Sequence, residues 1–223
     1  MLFLLEKMIK MSISKHSLFI SFEGIDGCGK STQVKMLIEK LEKENFDFFL
    51  VREPGGTIIS EKIRTILLDK KTSSMDSKTE ALLMMASRAQ LTKEAIIPKL
   101  KNGNIVISDR YIDSTIAYQG AGRGLDIEVL DKMNDFATCK LKPDITYLID
   151  LPSGIASKRR GKSKLDRIEK VGSKFQELVR NQYIKLAMLN QERFITLDGL
   201  PNAESIHDLI WNTFKSKIRK RKL

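Results

Sequence analysis

The chain has 223 residues, 42% hydrophobic and 30% charged, a balance typical of a globular protein with one domain and a substantial core. It has no stretch near the ~20 apolar residues that cross a bilayer, no signal-peptide core and only two cysteines, so we expect a cytoplasmic protein without a membrane partner. Its net charge of +11 suits nucleic acid or a phosphate-rich small molecule, but part of the excess lies in a basic tail over 215–223, and we expect no nucleic-acid partner.

The first predicted strand, over 18–22, runs into a glycine-rich turn and then a helical pattern over 32–41. The turn fits G-x-x-x-x-G-K-[ST], whose glycine backbone and helix N-terminus bind phosphate. We expect Lys30 to bind the β- and γ-phosphates as a catalytic cation and the Ser31 hydroxyl to bind Mg²⁺. The predicted nucleotide-phosphate site is Gly24, Ile25, Asp26, Gly27, Cys28, Gly29, Lys30, Ser31 and Thr32.

Cys28 lies inside this loop and has two interpretations. The helix N-terminus and Lys30 could acidify its thiol, which would make it a reactive group at the nucleotide site. Alternatively, it is a small side chain that fills space. The pattern favours the second interpretation.

Beyond the loop, short apolar runs alternate with helical patterns. Strands are predicted over 46–51, 104–108, 145–149 and 193–197, and helices over 58–68, 77–100, 112–118, 126–137, 171–190 and 202–218. The alternation predicts an α/β protein in three layers, with a five-stranded parallel sheet and helices on both faces. One domain over 17–214 would follow an N-terminal extension over 1–16 and precede the basic tail.

Charged residues follow the ends of two predicted strands. Arg52 ends the second strand, and Asp109-Arg110 ends the third, at the edge where parallel sheets bind ligands. Both arginines could grip one acceptor phosphate, because a guanidinium binds phosphate in two places. Asp109 is placed to hold Mg²⁺ through water. Equally, Asp109-Arg110 can be a structural ion pair, and the run from 52 to 56 can be a plain turn.

Five short motifs together indicate one family. They are Phe22-Glu23-Gly24-Ile25-Asp26-Gly27-Cys28-Gly29-Lys30-Ser31-Thr32, Arg52-Glu53-Pro54-Gly55-Gly56, Asp109-Arg110-Tyr111, Ala117-Tyr118-Gln119-Gly120 and Leu165-Asp166-Arg167-Ile168-Glu169. In this order and spacing the chain resembles thymidylate kinases over about 17–214. Each motif alone is weakly specific, but the ordered set is highly specific. The resemblance implies a P-loop kinase fold, a homodimer, and transfer of the ATP γ-phosphoryl group to dTMP with Mg²⁺, a step in dTTP biosynthesis.

The resemblance also implies roles in the acceptor site. The arginines that match Arg52 and Arg110 bind the dTMP phosphate, and the carboxylate that matches Asp26 approaches the sugar 3′-hydroxyl. The ring that matches Tyr118 crowds the 2′ position and favours deoxyribose. The arginine that matches Arg88 hydrogen-bonds the thymine edge. The same pocket is implied to contain Ser114, Thr115 and Gln119.

The resemblance further implies a basic lid. One variant of the family has an arginine after the phosphate-loop carboxylate, and the other has glycine there and takes the arginine from a mobile lid. Gly27 and the basic stretch over 158–167 match the second variant. Arg160 is the implied catalytic cation, with Arg159 and Lys162 as rivals, because charge on the transferred group must be neutralised. A solvated basic loop is the alternative.

Met84 departs from the family, which commonly has a phenylalanine that stacks on thymine at this position. A methionine sulfur can still lie on the ring and contribute ~0.3–1.5 kcal/mol. We therefore expect weaker base stacking and some tolerance of altered pyrimidines. Ordinary helix packing of Met84 is an equal alternative.

Three other functions share the phosphate loop. A kinase for another nucleoside or mononucleotide would be distinguished only by its substrate turnover. A nucleic-acid-dependent ATPase would suit the charge of +11, but Asp150 ends the fourth predicted strand without a paired Glu. A switch GTPase would carry the base-reading signature Asn-Lys-x-Asp, which the sequence lacks.

Overall fold

The computed structural model describes residues 13–14, 17–161, 167–168 and 171–222, and for 220–222 it describes the backbone alone. Five strands form one sheet: β1 (Leu18–Glu23), β2 (Phe48–Arg52), β3 (Ile105–Asp109), β4 (Ile145–Asp150) and β5 (Phe194–Asp198). They lie in the order β2-β3-β1-β4-β5, and each neighbouring pair is parallel. The predicted five-stranded parallel sheet is confirmed.

Helices connect the strands. They are α1 (Lys30–Lys43), α2 (Ile58–Leu68), α3 (Ser77–Leu91), α4 (Ile97–Lys101), α5 (Ile112–Thr115), α6 (Ile127–Thr138), α7 (Ser153–Arg160), α8 (Ser173–Leu189) and α9 (Ala203–Lys222). A 3₁₀ turn covers Lys70–Thr72, and π-helical turns cover Thr92–Ile96 and Ile116–Gly122.

One face of the sheet packs against α1 and α9. Leu18 and Phe22 of β1 lie on this face, in one buried cluster with Leu37 of α1 and Phe214 of α9. Their spacing follows the pleat, in which alternate side chains share a face. Ile218 is buried in the same cluster, so α9 continues into the core along the segment where a basic tail is predicted.

The opposite face packs against α3, α4 and α8. Phe19 of β1 forms a buried cluster with Leu91 at the end of α3 and Leu100 of α4. Leu148 of β4 is buried with Val179 of α8. Helices therefore cover both faces, as the three-layer prediction requires.

Several elements differ from their predicted bounds. β2 begins at Phe48, two residues later than predicted. The helix predicted over 77–100 is interrupted by the π-helical turn Thr92–Ile96, and the one over 112–118 passes into the turn Ile116–Gly122. A π-helical turn inserts a residue that a 3.6-residue pattern cannot reveal. α7 was not predicted, because only eight residues form it and its apolar pattern is short.

The ends of the chain are only partly described. Most of the predicted extension over 1–16 lies outside the described residues; within it, the Ser14 N–H donates to the Leu100 carbonyl oxygen at 3.3 Å. In the part of the chain that the structure describes, no helix has both the length and the apolar character needed to cross a membrane.

Candidate active site

Two cavities open at the edge of the sheet where the strands end. The inner cavity, about 220 Å³, lies among the end of β2, α2, α3 and the turn Ile116–Gly122. The loop cavity, about 650 Å³, is lined by residues 26–33, by α7 and by residues 201–203 before and at the start of α9. Asp26, Asp109 and Arg110 line both cavities. A ligand in each cavity would therefore meet the other at these three side chains.

The glycine-rich turn leads directly into α1, as the motif requires. Gly29 precedes the helix with φ 107°, a left-handed conformation that favours glycine. Lys30 is buried, and its Nζ donates to the carbonyl oxygens of Gly24 at 2.9 Å and Ile25 at 3.0 Å. The third N–H contacts the Cys28 sulfur at 3.9 Å, so phosphate binding at Lys30 requires the exchange of at least one of these three contacts. Cys28 is 1% exposed within an apolar cluster, which supports the space-filling interpretation of this residue.

The Arg110 side chain makes four hydrogen bonds at the junction of the two cavities. Its Nη2 donates to Asp26 Oδ1 at 2.6 Å and to the Tyr118 hydroxyl at 3.0 Å, and its Nη1 donates to the hydroxyls of Tyr183 and Ser114. Its backbone is left-handed, with φ 74°, a strained conformation for a residue other than glycine. These contacts hold the guanidinium between the two cavities.

Asp26 stays ionised because of this contact. Burial tends to raise the pKa of Asp26, but the positive charges of Arg110 and Lys30 outweigh burial and hold that pKa at about 2. The Tyr118 hydroxyl also donates to Asp26 Oδ2 at 3.1 Å. A carboxylate with this pKa is ionised near neutral pH, where it accepts hydrogen bonds and donates none.

A second carboxylate supports the segment that carries Arg110. Glu23, at the end of β1, is fully buried and accepts hydrogen bonds from the Tyr111 N–H and the Ser114 hydroxyl at 2.7 Å, and from the Tyr183 hydroxyl at 2.9 Å. Burial raises the pKa of Glu23 to about 7, and the Asp113 carboxylate acts in the same direction. Glu23 thereby ties β1 to the residues around Arg110.

Arg52 and Arg110, the two arginines predicted to bind one phosphate, both line the inner cavity. They differ in how far their side chains are exposed. Arg52 is about half exposed at the cavity rim and forms an ion pair with Glu61 of α2 at 3.1 Å. Arg110 is largely enclosed, with a side chain 16% exposed. A ligand can therefore recruit Arg52 with little desolvation, whereas Arg110 is already held in place.

Arg88 lines the inner cavity from α3, but its guanidinium is fully engaged. Nε and Nη2 donate to Glu53 Oε2, Nη2 also donates to the Tyr111 carbonyl oxygen, and Nη1 donates to Thr115 Oγ1 and Asn134 Oδ1. These bonds use all five N–H donors of the side chain. A bond from Arg88 to a ligand therefore requires the exchange of one of them.

The other residues predicted for the acceptor pocket lie together. The inner cavity is lined by Met84 of α3 and by four residues of α5 and the following π-helical turn: Ser114, Thr115, Tyr118 and Gln119. Met84 also packs against the apolar cluster around Phe175 and Tyr183. Met84 therefore takes part in packing and also lines the cavity, and its contact with a base stays a prediction.

α7 packs directly on the phosphate loop. A Cβ built on Gly27, whose φ is 87°, would lie 2.3 Å from the Ala156 carbonyl oxygen. Arg160, at the end of α7, lines the loop cavity, and its buried Nε has no hydrogen-bond partner among the described residues. Arg159 lines the same cavity, but its Nη1 donates to the Gly199 carbonyl oxygen at 2.8 Å. Gly27 therefore contacts α7 directly, at the position where the other variant of the family has an arginine.

Part of the predicted lid cannot be placed. Lys162, the third candidate cation, lies outside the described residues, as do Leu165, Asp166 and Glu169 of the fifth motif. Arg167 and Ile168 of that motif are described, and Ile168 lines the inner cavity. The lid prediction over 158–167 therefore rests on its first four residues and on Arg167.

The site offers oxygen donors for a metal ion. No group of three or more His, Cys, Asp or Glu side chains in the described ranges could hold a metal by itself. The Asp109 carboxylate lines both cavities, and Ser31 lines the loop cavity. Because Mg²⁺ prefers oxygen ligands and keeps several waters, these two side chains fit an ion held mainly by nucleotide phosphates and water.

Two further sets of residues line the cavities without belonging to any of the predicted site motifs. Arg64 lines the inner cavity and donates to the Pro54 carbonyl oxygen at 2.7 Å. Its spacing from Glu61 and Leu68 puts all three on one face of α2, which could have identified it. Residues 201–203 line the loop cavity and follow β5, so the rule that ligands bind after parallel strands could have found them.

Comparisons with known proteins agree on one family. A family model described as thymidylate kinase matches residues 22–210. The chain is similar to the thymidylate kinase of Fervidobacterium nodosum, with 49% identity over 90% of this chain and 100% of that protein. It is 46% identical to the thymidylate kinase of Thermoanaerobacter sp. strain X514, over 90% of this chain and 98% of the relative. The crystal structure of thymidylate kinase from Ehrlichia chaffeensis is similar with TM-score 0.73 and 35% identity, over 89% of this chain and 98% of that chain.

Gly27→Ala is expected to destabilise the protein more than Gly29→Ala. Both glycines have positive φ, so alanine brings backbone strain at each position. Only at Gly27 does the new Cβ collide with backbone, since a Cβ at Gly29 meets nothing within 4 Å. We expect an extra loss of about 1–3 kcal/mol in the free energy of unfolding for Gly27→Ala, measured in urea. Equal losses would contradict the packing of α7 on the loop.

Asp26→Asn tests the charge contact at the junction. The pKa of Asp26 is about 2 in the folded protein and 3.8 without perturbation, so its ionisation stabilises the fold above pH 3.8 and stops doing so as the pH falls towards 2. The wild type should therefore lose about 2 kcal/mol of unfolding free energy relative to Asp26→Asn between pH 6 and pH 2. Urea unfolding at several pH values measures this difference. A difference that does not change with pH would contradict the ion pair.

Proposed function

The chain belongs to the thymidylate kinase family, and we propose that it transfers the γ-phosphoryl group of ATP to dTMP, giving dTDP and ADP. One observation carries the assignment of the two sites: an inner cavity and a phosphate-loop cavity meet at Asp26, Asp109 and Arg110. Phosphoryl transfer between two nucleotides needs two phosphate chains that meet in line. We assign ATP to the loop cavity and dTMP to the inner cavity.

The donor site is built around the glycine-rich turn. ATP phosphates would lie against residues 24–32, where they could accept hydrogen bonds from the N–H groups at the start of α1. Lys30 would exchange its bonds to the Gly24 and Ile25 carbonyl oxygens for phosphate oxygens. Ser31 and Asp109 would hold Mg²⁺, which when bound neutralises charge on the β- and γ-phosphates. The Lys30 contacts keep this cation next to the site before ATP arrives.

The acceptor site is built around Arg110. This guanidinium and that of Arg52 would bind the dTMP phosphate, Arg110 from within the cavity and Arg52 from its rim. Asp26, ionised and adjacent to Arg110, would accept a hydrogen bond from the sugar 3′-hydroxyl. The Tyr118 ring lines the same cavity and would crowd a 2′-hydroxyl. Together these contacts would favour a deoxyribonucleoside monophosphate.

The base would lie deeper in the inner cavity. Met84 would contact the face of the ring, a weaker stacking partner than an aromatic side chain. Ser114, Thr115 and Gln119 would surround the polar edge of the base. Arg88 would bond the thymine edge only by exchanging one of its five internal hydrogen bonds. Base recognition therefore depends on side chains that already form hydrogen bonds within the protein.

The transfer step needs no base from the protein. An oxygen of the dTMP phosphate, already anionic, attacks the γ-phosphorus, while the bond from that phosphorus to the β–γ bridging oxygen breaks and its electron pair leaves with ADP. Lys30, Arg110 and Arg160 would stabilise the charge on the transferred group. The packing of α7 on Gly27 places Arg160 beside the phosphate loop. Arg160 would then contact the γ-phosphate when the lid closes.

We further propose that the protein works in the cytoplasm as a homodimer. α2, α3 and α6 lie side by side and carry exposed apolar side chains, including Ile66, Leu82 and Phe136. Large apolar side chains grouped on neighbouring helices are common at contacts between protein chains. This supports a dimer contact on that side of the domain.

A coupled assay for ADP tests the proposed substrate. With ATP and Mg²⁺, we expect dTMP to be turned over with a higher kcat/KM than dUMP, dCMP, dAMP or thymidine. The control reaction contains ATP, Mg²⁺ and polynucleotide but no nucleoside monophosphate. A nucleic-acid-dependent ATPase would release ADP in this reaction, whereas the proposed kinase would not. A higher kcat/KM for any other acceptor would overturn the assignment of dTMP.

Arg160→Ala and Arg159→Ala form a matched pair for the lid cation. The two arginines are neighbours on α7 and both line the loop cavity. Arg159 is bound to the Gly199 carbonyl oxygen, whereas the buried Nε of Arg160 has no hydrogen-bond partner among the described residues. We expect Arg160→Ala to lower kcat by about 10²-fold or more, and Arg159→Ala to lower it far less. Steady-state kinetics with saturating ATP and dTMP measure both. Full activity of Arg160→Ala would refute its assignment as the cation.

A further inference from the structure

A buried carboxylate lies behind the inner cavity. Glu80, in the first turn of α3, is 1% exposed and forms ion pairs with two arginines that come from different parts of the chain. Arg123 donates to both of its oxygens, at 3.1 and 3.0 Å, and Arg167 forms an ion pair with it at 2.7 Å. Glu80 also accepts a hydrogen bond from Gln119 Nε2 at 3.0 Å. The cavity is thus linked to this ion-pair cluster through Gln119.

The charge on Glu80 decides what it can bind. Burial tends to raise the pKa of Glu80, but the hydrogen bonds from Arg123 and Gln119 and the charge of Arg123 outweigh burial and lower that pKa. An ionised carboxylate accepts hydrogen bonds and donates none. The Gln119 carboxamide must therefore turn its NH₂ group towards Glu80.

This contact leaves one polar atom of Gln119 for a ligand. Gln119 is 2% exposed and lines the inner cavity, and its Oε1 makes no hydrogen bond to another described residue. The Arg88 donors nearby are all engaged within the protein. Through Gln119, the cavity therefore presents an acceptor whose orientation is fixed before any ligand enters.

We propose that Glu80 is a positioning residue that fixes Gln119 and so selects acceptor bases with an N–H at the pyrimidine 3 position. The proposal rests on the proposed function, because it concerns the base of the dTMP site. Thymine and uracil carry a hydrogen at this nitrogen, whereas cytosine carries a lone pair there. A fixed Gln119 Oε1 accepts a hydrogen bond from thymine or uracil but repels the lone pair of cytosine. The discrimination is strong because cytosine would leave the buried Oε1 unpaired.

Glu80→Gln tests the proposal because a neutral amide can face Gln119 with either its oxygen or its nitrogen. Gln119 is then free to turn its NH₂ group towards the cavity. We expect the ratio of kcat/KM for dTMP to that for dCMP to fall by about tenfold or more, mostly through KM. dUMP should change together with dTMP. Glu80→Asp, which keeps the charge but withdraws the carboxylate from Gln119, should shift the ratio in the same direction.

Arg123→Gln is the matched control. It weakens the same buried cluster, but Arg167 still pairs with Glu80, and the bond from Gln119 to Glu80 remains. It should lower the melting temperature while the dTMP-to-dCMP ratio stays within about twofold of wild type. The effect of Glu80→Gln should also require the Gln119 amide. In the Gln119→Met background, adding Glu80→Gln should therefore leave the dTMP-to-dCMP ratio of kcat/KM unchanged.

The outcomes separate two possible failures. If the wild type turns over dTMP but Glu80→Gln and Glu80→Asp keep its ratio, the proposal is overturned while the proposed function stands. The proposal also fails if Arg123→Gln changes the ratio as much as Glu80→Gln, because general loosening of the cluster then explains the effect. If the wild type does not phosphorylate dTMP, the proposed function itself fails.

Discussion

The ion pair between Arg110 and Asp26 is the contact on which the site depends. It stands where the two cavities meet, with 2.6 Å between Nη2 and Oδ1. The sheet fixes both partners, since Asp26 follows β1 and Arg110 follows β3, the strand next to β1. The Arg110 N–H also donates to the Phe22 carbonyl oxygen. Glu23 reinforces this link by accepting hydrogen bonds from the residues after Arg110.

The phosphate loop and α7 are also joined by a close contact. Gly27 has no side chain, and α7 uses that space to place its backbone against the loop. Arg160, at the end of the same helix, lines the loop cavity. In the same way, Glu80 serves both the ion-pair cluster that holds Arg167 and the orientation of Gln119.

The sequence predicted what is local or periodic. Apolar runs located all five strands, and the rule that ligands bind after parallel strands brought Arg52, Asp109 and Arg110 to one cavity. The five motifs identified the family that the comparisons then showed. π-helical turns escaped because their extra residue has no periodic signal. α7 escaped because eight residues give too little pattern.

The contacts around Arg88 and Glu80 were beyond the reach of sequence patterns for a different reason. Arg88 is held by Glu53, 35 residues away, and by Asn134, 46 residues away. Glu80 is bound by Gln119 and Arg123, which are 39 and 43 residues away. Such partners depend on how helices pack in three dimensions. A residue predicted to bind a ligand can therefore prove to be engaged first with its neighbours.

The most direct test of two substrate sites joined at Arg110 is a pair of binding titrations on Arg110→Met. Calorimetry would measure the Kd of dTMP and, separately, that of a non-hydrolysable ATP analogue. We predict that dTMP binding weakens about tenfold or more, because a charged partner of its phosphate is lost, while the Kd of the ATP analogue changes far less. Unchanged dTMP affinity, or an equal loss for both ligands, would contradict the assignment of dTMP to the inner cavity and ATP to the loop cavity.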